Sequence, residues 1–475
     1  MSNVIEIFTQ EMFSTLRSHL LGNPKGQEEA AALIAGIVET KRQLRLLVRE
    51  VVPIPDEYVL HKSSVGLQIH PDFLSRQLKE CRLSGSAFML AHSHPLGSRH
   101  VQFSGVDDAG EEALFPKILS LNEGLPVGSI VMSPKSLSAR VWLPSENRPR
   151  PVDEVRVLGQ TIERFNGTNG GRLPEYPVEP LDQELYSRHV LAIGAEGQRM
   201  IQRTRVGIAG VGGVGSSIFT QLMHLGIRDI VLVDPDLVGE SNLARMMGTV
   251  KSDIGAPKVE VLGKLGLRFD SRLAIDIINE PVESKGARTK LRDTDAVFCC
   301  VDSLPSRAFV NRFGCQYYIP VIDVGCDIQM SEKHRPRVRA IGGRVMVLMP
   351  DGPCLHRYGM AADSLPSDEQ AVDGHQPASG TQVEVPSMVC HIGVVASLAV
   401  CEFVNLVTGM ASRTLRSRGM YRMYDGISGT VRECRGARDS DCLACGAQRG
   451  LGDSSDGCAS GRRFEPVQSG DCRVR

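Results

Sequence analysis

The spacing of apolar residues changes several times within the first 165 residues. Short continuous apolar runs predict buried strands, and they lie at residues 5–9, 30–38, 44–52 and 86–91. Apolar residues three or four positions apart predict amphipathic helices, and they lie at residues 10–21, 71–81 and 107–122. This alternation of strands and helices indicates an α/β domain over residues 1–165.

A second pattern runs from residue 181 to residue 445. A strand, a helix and a second strand form one β-α-β unit, at residues 205–209, 216–225 and 230–233. Further strands are predicted at 296–300 and 320–324. They extend the unit into a mostly parallel, doubly wound sheet.

Two segments lack an apolar pattern. Residues 166–180 contain Gly and Pro but few apolar residues, which is typical of a linker. Residues 446–475 are rich in Gly, Ser and Arg, a composition that favours a disordered tail. We therefore expect two domains, a linker between them and a tail.

Composition narrows the setting in which the protein works. The formal net charge is -1 over 475 residues, so no bulk field attracts nucleic acid or an acidic membrane. We find no signal peptide and no apolar run of the roughly 18–20 residues that cross a bilayer. The 13 cysteines are scattered and odd in number, which suits a reducing compartment. We expect a cytoplasmic protein without membrane or nucleic-acid partners.

Two histidines, His92 and His94, follow the apolar run that ends at residue 91. Because side chains alternate along a strand, histidines separated by one residue point the same way. Asp107 supplies a carboxylate a short loop later. Two imidazoles and one carboxylate leave the fourth position of tetrahedral zinc for water, whose pKa the zinc lowers to about 7. Such a centre also needs a base and an oxyanion donor.

The sequence AHSHP, followed by Ser104 and Asp107, resembles the H-x-H-P and S-x-x-D signature of the JAMM (MPN+, JAB) metalloproteases. Glu29, in EAAALIAG, fits the glutamate pattern of that family, and Glu28 is a second candidate. The resemblance implies a JAB/MPN-like α/β domain with a catalytic zinc on the two histidines and Asp107. It also implies Glu29 as general acid/base and Ser104 as support for the oxyanion.

A glycine-rich turn, GVGGVG, joins the strand at 205–209 to the following helix. Such a turn brings backbone amides and a helix N-terminus close to phosphates, and its glycines are Gly210, Gly212, Gly213 and Gly215. Asp234 ends the next strand, where an acid can bind ribose hydroxyls. This pattern by itself allows NAD as well as ATP.

The residues that follow resemble the ThiF/MoeB and ubiquitin-activating-enzyme family. The ordered motifs of that family, D-x-D, N-L-x-R, G-x-x-K and C-x-D, fall here on Asp234 and Asp236, Asn242 and Arg245, Lys258, and Asp302. The resemblance implies a Rossmann-like adenylyltransferase domain that binds ATP and Mg²⁺, with Asp302 on the metal.

The resemblance also implies a reaction and its partners. A carrier carboxylate attacks the α-phosphate, pyrophosphate leaves and an acyl-adenylate forms. The implied carrier is a small ubiquitin-like or sulfur-carrier protein ending in glycine, and a conjugating enzyme is a further implied partner. Arg188, in LYSRHVL, matches an arginine that reaches a phosphate of the partner subunit, which implies a homodimer.

Cysteines near the end of the second domain resemble a structural zinc site of the same family. One C-x-x-C pair is intact and the other is C-L-H-R, so the implied ligands are Cys354, His356, Cys442 and Cys445, with Cys434 as a spare. The alternative is a lost site with free thiols.

Cys390 is the candidate nucleophile for a thioester with the carrier. His391 lies beside it in the sequence, where a histidine is able to lower the pKa of a thiol. The alternative is a packing role, because the surrounding stretch is apolar.

Together these features predict a bifunctional enzyme. One domain would adenylate the terminal glycine of a ubiquitin-like carrier, and the other would hydrolyse peptide or isopeptide bonds next to that tail, in a prokaryote-type conjugation pathway. One alternative is sulfur-carrier activation for thiamine, molybdopterin or cysteine synthesis. The other is a scaffold in which both sites are inert.

Overall fold

The computed structural model describes residues 3–97, 100–144, 146, 148–168, 182, 184–331, 337–355, 386–411, 421–434, 436, 442, 446 and 449–453. Most of the expected linker, residues 356–385 and the chain beyond residue 453 lie outside these ranges.

The N-terminal domain is built on a mixed nine-stranded sheet. Its order is β11-β10-β1-β3-β2-β6-β7-β8-β9, and β4 and β5 pair separately as a hairpin. The strands are β1 (Asn3–Thr9), β2 (Ala30–Glu39), β3 (Gln43–Pro53), β4 (Val59–Lys62), β5 (Leu67–Ile69), β6 (Ala87–Ser93), β7 (Val127–Met132), β8 (Leu137–Trp142), β9 (Arg150–Pro151), β10 (Glu154–Leu158) and β11 (Ile162–Asn166).

Helices cover both faces of this sheet. Helix α1 (Gln10–Leu21) buries Phe13, Leu16 and Leu20 on one face. Helices α2 (Pro71–Ser84) and α3 (Gly105–Leu121) pack on the other face around Phe88 and Phe115. The predicted strands and helices of this domain are confirmed. Strands β10 and β11 were not predicted, because charged residues interrupt their short apolar pattern.

The C-terminal domain contains the expected doubly wound sheet, in the order β14-β13-β12-β15-β16-β17-β18-β19. Strands β12 to β16 pair in parallel and the remaining pairs are antiparallel. The elements are α4 (Ser187–Arg203), β12 (Arg205–Ala209), α5 (Gly213–Leu225), β13 (Asp229–Val233), α6 (Lys258–Phe269), β14 (Ala274–Ile278), α7 (Lys285–Leu291), β15 (Ala296–Cys299), α8 (Leu304–Tyr317), β16 (Val321–Met330), β17 (Val338–Leu348), α9 (Val389–Thr408), β18 (Tyr421–Asp425) and β19 (Thr430–Cys434).

Helix α9 corrects one expectation from the sequence. Its 20 residues are apolar enough, by length and composition, to cross a membrane, although no such run was predicted. In the structure Val395, Ala399 and Phe403 are buried in the core of the domain, and the Phe403 ring lies 5.5 Å from that of Phe298. The length and hydropathy of α9 are therefore explained by its place as a core helix.

The two domains share one hydrophobic core. Ile5, Ile7 and Leu47, on strands of the N-terminal sheet, belong to the same buried cluster as the strands of the C-terminal domain. The Tyr318 hydroxyl after α8 donates to the backbone carbonyl of Val48 at 3.1 Å. The N-terminal sheet thus uses the C-terminal domain to cover part of its surface.

Residues 449–453 also contact both domains. The backbone amide of Gly452 donates to the Gln316 carbonyl at the end of α8, and Gly452 bridges to Ile37 of β2. These residues were expected to belong to a disordered tail, so the folded part of the chain extends to Asp453 rather than ending at residue 445. The first domain also extends beyond residue 165, since the Gly167 carbonyl accepts a hydrogen bond from the Ala139 backbone amide.

Candidate functional site

The two histidines and Asp107 converge at one end of the N-terminal sheet. His92 lies in β6 and His94 directly follows it, while Asp107 lies in the first turn of α3. His92 Nε2 is 3.1 Å from Asp107 Oδ1, and His94 Nε2 is 3.5 Å from Asp107 Oδ2. Among the residues described, these three bring their ligand atoms within 4.8 Å of one another.

This donor set fits zinc. His92 Nε2 is buried, and its close approach to Asp107 does not have the alignment of a hydrogen bond. Two imidazole nitrogens and a carboxylate that converge without bonding to each other are the arrangement that a shared cation requires. The set supplies three ligands, which is the number found at catalytic zinc sites with one open position.

Electrostatics keep Asp107 ionised. Burial raises the pKa of this carboxyl, but the neighbouring His92 and His94 imidazoles lower it by more, so the pKa lies well below its usual range. The nearby Asp107 carboxylate also raises the pKa of His94. A cation in the same place would take over this role of the imidazoles as a counter-charge.

Ser104 is the N-cap of α3 and supports Asp107. Its hydroxyl donates to Asp107 Oδ2 at 2.7 Å and accepts from the Asp107 backbone amide at 3.3 Å. This capping box fixes the position of the carboxylate. Ser104 therefore lies beside the cluster as expected, and its role toward an oxyanion stays a prediction.

The structure does not place Glu29 at the cluster. Its Oε1 atom accepts from Asn23 Nδ2 at 2.7 Å and pairs with Lys62 Nζ at 2.5 Å. Glu28 lies instead on the histidine side, with Oε1 3.9 Å from His94 Nε2. The cause is strand alternation: Ala30 pairs with His92, so Glu28, two residues earlier, shares the face of the histidines. Of the two candidates, the structure therefore places Glu28 beside the histidines, and the role of either glutamate as general acid/base stays a prediction.

A cavity of about 300 Å³ lies beside the cluster, and its lining includes Phe103, Asp108, Arg140 and Pro151. The Arg140 guanidinium lies 3.8 Å from the centre of the Phe103 ring and donates to Asp108 at 2.6 Å. No pattern in the sequence indicated these residues, since Arg140 lies in β8 and is brought to the cavity only by the fold.

The glycine turn of the C-terminal domain lies between β12 and α5. Gly210 has a φ of 84°, a conformation that favours glycine. A Cβ on Gly215 would lie 2.0 Å from the Gly210 carbonyl oxygen, and one on Gly213 would lie 3.3 Å from the Arg245 carbonyl oxygen. Gly212 forms the N-cap of α5 and leaves the helix N-terminus open toward an anion.

The acidic and basic residues of the family motifs come together at this turn. Asp234 accepts from the Val211 amide at 2.7 Å, and burial raises the pKa of Asp234. Lys258 Nζ lies 2.7 Å from Asp236 Oδ2 and 4.0 Å from Asp234 Oδ1. Asn242 is buried and accepts from the Gly239 amide, which shapes the loop before Arg245.

Asp302 lies next to the same turn. A Cβ on Gly210 would meet the backbone of Cys300 and Val301 at 2.7–2.8 Å, and Asp302 follows immediately as an exposed carboxylate. The carboxyl ends of β12, β13 and β15 thus bring an anion-binding turn, a lysine and a metal-binding type of side chain to one edge. Arg188 is exposed on α4.

The candidate cysteine sites lie only partly within the described residues. Cys354 Sγ and Cys442 Sγ lie 3.6 Å apart, and Cys315 of α8 packs against them. His356 and Cys445 lie outside the described residues, so the zinc site stays a prediction. Cys434 lies in the edge strand β19, and Cys390 is exposed in the first turn of α9.

The C-terminal domain matches a known protein family. Residues 186–444, more than half of the chain, match the ThiF family. The SAMP-activating enzyme E1 of Haloferax volcanii is 30% identical over 176 residues, which cover 36% of this chain and 59% of that protein. The molybdopterin-synthase adenylyltransferase of Escherichia coli is 27% identical over 275 residues, covering 57% of this chain and 99% of that protein. The sulfur carrier protein ThiS adenylyltransferase of E. coli is 25% identical over 265 residues, covering 55% and 94%.

Proposed function

Because this chain belongs to the ThiF family, we propose that its adenylyltransferase domain activates the C-terminal carboxylate of a small ubiquitin-like or sulfur-carrier protein. The observation that carries the proposal is the assembly of the glycine turn, Lys258, Asp234 and Asp302 at one edge of the sheet. The relatives support it, since their names refer to SAMP, molybdopterin synthase and ThiS.

Each residue has a physical task in this reaction. The turn and the α5 N-terminus bind phosphate oxygens through backbone amides. Lys258 and Arg245 neutralise the charge of the triphosphate, and Asp302 would hold Mg²⁺ on it. A carrier carboxylate oxygen then bonds to the α-phosphorus as the bond to pyrophosphate breaks, and the fixed positive charges stabilise the leaving group.

Exchange of labelled pyrophosphate into ATP tests this proposal. We expect exchange that depends on a carrier ending in glycine, and we expect Lys258→Met to reduce it at least 100-fold. Lys264→Met, an exposed lysine on the same helix, is the matched control. Exchange that proceeds equally well without any carrier would contradict the proposal.

The relatives named for molybdopterin synthase and ThiS favour sulfur-carrier activation over conjugation. The two outcomes differ in the product, since a thiocarboxylate on the carrier marks sulfur transfer and a covalent protein adduct marks conjugation. Cys390→Ser then tests the thioester, because an unchanged product would show that Cys390 takes no part in the reaction.

A homodimer is part of the same proposal. Leu185 and Leu191, on either side of Arg188, are 60% and 82% exposed. A partner subunit that binds over Arg188 would cover both side chains. We expect Arg188→Ala to lower pyrophosphate exchange without lowering the affinity of the enzyme for the carrier. A strictly monomeric, active protein would refute the shared site.

A second activity, zinc-dependent hydrolysis of a peptide or isopeptide bond, is proposed for the N-terminal domain. The His92, His94 and Asp107 cluster favours it. Zinc there would acidify a bound water and polarise a carbonyl. Glu28, whose pKa burial raises and whose Oε1 lies 3.9 Å from His94 Nε2, would take the proton of the attacking water and deliver it to the leaving amine.

Paired glutamate variants test this second activity. We expect Glu28→Gln to abolish cleavage of a carrier fused through its terminal glycine to a reporter protein, with pyrophosphate exchange intact. We expect Glu29→Gln to retain measurable cleavage. The absence of bound zinc in the purified protein would contradict the proposed peptidase activity.

A further inference from the structure

Glu28 and Glu29 form a pair whose side chains lie on opposite faces of the same backbone. The Glu28 amide donates to the Ser63 carbonyl in the β4–β5 hairpin at 2.7 Å. The Glu29 amide donates to Ser93 Oγ at 2.9 Å, between the two histidines. The start of β2 is therefore held from both sides at the point where it enters the candidate peptidase site.

Lys62 supplies the charged part of this arrangement. It ends β4, only 18% of its side chain is exposed, and its ammonium pairs with Glu29 Oε1 at 2.5 Å. The Lys62 carbonyl accepts a longer bond, 3.4 Å, from Gln27 Nε2. An ion pair this sheltered from solvent is screened less by salt than a surface pair and fixes the geometry of both partners.

We infer that Lys62 is a positioning residue for the proposed hydrolysis. Its ion pair with Glu29 fixes the two residues that lead into β2. The fixed backbone in turn keeps the neighbouring Glu28 carboxylate on the histidine side. The inference rests on the proposed peptidase function and adds to it a residue 34 positions away from Glu28 in the sequence. Lys62 touches neither the histidines nor Asp107 and does no proton transfer.

The physical reason is the flexibility of a strand end. Glu28 and Glu29 precede the first ladder residue, Ala30. Backbone hydrogen bonds from the Glu28 amide to the Ser63 carbonyl and from the Ser93 amide to the Glu29 carbonyl hold their backbone, but these bonds do not fix their carboxylates. A carboxylate that must reach a water molecule needs placement within a fraction of an ångström, and a shift of about 1 Å can cost about 100-fold in rate. Anchoring the adjacent residue to a partly buried ammonium supplies that placement.

The test compares Lys62→Met, Lys62→Arg, Glu29→Gln and the double variant Lys62→Met/Glu29→Gln. Lys79→Met, an exposed lysine on α2 of the same domain, is the matched control. We expect Lys62→Met and Glu29→Gln each to lower kcat for cleavage about 10- to 100-fold with KM and zinc content unchanged. The double variant should fall no further than either single one, and Lys62→Arg should retain most of the rate.

Hydrogen exchange of the metal-free protein gives a readout that does not depend on activity. The backbone amides of Glu28 and Glu29 should exchange faster in Lys62→Met and Glu29→Gln and remain as in wild type in Lys79→Met. Unchanged kcat and unchanged exchange in Lys62→Met would overturn the inference. So would loss of all activity in Glu29→Gln, because Glu29 would then be the base. A wild-type protein that cleaves nothing overturns the peptidase proposal instead, and the exchange measurement still decides whether Lys62 locks the strand.

Discussion

Glu6 is a carboxylic acid without a partner in the core of the N-terminal sheet. It is fully buried on β1, between Leu46 and Val155 of the adjacent strands. Neither of its carboxylate oxygens has a hydrogen-bond partner among the described residues. Burial raises the pKa of Glu6 well above the ordinary value of 4.5. The folded protein therefore keeps this group protonated where the unfolded chain ionises it.

Replacement of Glu6 by leucine should change how stability depends on pH. With the folded pKa above the unfolded one, the folded state binds more protons, and stability falls as pH rises from about 4.5 toward the folded pKa. We expect Glu6→Leu to raise the free energy of unfolding at pH 8 by about 1–3 kcal/mol and to flatten this slope. Thermal unfolding between pH 5 and pH 8 measures both. Glu50→Leu, at an exposed position of β3, is the control, and equal slopes in Glu6→Leu and wild type would contradict the expectation.

At the scale of elements, the turn between β12 and α5 is packed so closely that it has no room for side chains at Gly210 and Gly215. Gly210 approaches the end of β15, and Gly215 approaches the carbonyl of Gly210. The conformation of the turn therefore depends on close backbone contacts that a side chain at either position would disrupt. Packing of Ile392, at the start of α9, against Gly213 adds a third support. The phosphate-binding amides depend on all three contacts.

An alanine at position 215 should open this turn. Its Cβ would lie 2.0 Å from the Gly210 oxygen, so the backbone has to move. We expect Gly215→Ala to weaken ATP binding at least 10-fold and to lower stability by about 1–3 kcal/mol. Calorimetry with ATP and thermal unfolding measure the two effects. Gly393→Ala, in α9 with no atom near the added methyl group, should bind ATP as wild type does. Wild-type ATP affinity in Gly215→Ala would show that the turn does not hold the nucleotide.

At the scale of the whole molecule, a buried ion cluster joins the domains. Arg156 Nη1 of the N-terminal sheet lies 2.7 Å from Asp295 Oδ1, which precedes β15. Arg45 Nη2 lies 3.6 Å from the same oxygen, and the Arg205 amide donates to Oδ2. Burial raises the pKa of Asp295, but Arg156, Arg164 and Arg45 lower it by more, and the net pKa lies below the usual range. Asp295 thus neutralises arginines of the other domain.

Asp295→Asn should destabilise both domains together. The change leaves Arg45 buried without its ion pair, while Arg156 keeps its pair with Glu154 at 2.8 Å. Removing one partner of a buried pair costs about 3–5 kcal/mol. We expect one unfolding transition at a lower temperature, because the domains share a core. Arg42→Gln removes a more exposed pair with Asp229 and should cost less than about 1 kcal/mol. Two separate transitions in Asp295→Asn, with one at the wild-type temperature, would contradict a shared core.

The glycine turn lies on the side of its sheet that is away from the N-terminal domain. Arg205, Asp229 and Asp295 lie at the amino ends of β12, β13 and β15 and face the N-terminal domain, whereas the glycine turn lies at the carboxyl ends. We therefore expect a carrier tail bound at the turn to leave it before reaching the histidine cluster of the same chain. The two proposed reactions are separate encounters.

Mixing inactive chains tests this separation. We expect full-length Glu28→Gln and full-length Lys258→Met together to show both activities, each proportional to the concentration of the chain that retains it. Adenylation and cleavage assays on the mixture measure this. Coupled turnover that only the wild-type chain supports would indicate direct transfer between the sites.

The sequence alone determined the features that depend on local spacing. His92 and His94 share a face because strand side chains alternate, and Asp107 reaches them because a short loop leads to a capped helix start. The glycine turn and the β12-α5-β13 unit follow from the same kind of short-range pattern. These features are set within a few residues, where steric rules and hydrophobic periodicity act directly.

Only the tertiary structure decided the features that join distant segments. Strand register put Glu28 rather than Glu29 beside His94, and the β4–β5 hairpin brought Lys62 to Glu29. Packing of one domain on the other buried Arg45 and Arg156 and drew residues 449–453 into the fold. Such choices depend on which surfaces exclude water together, and no local pattern in the chain carries that information.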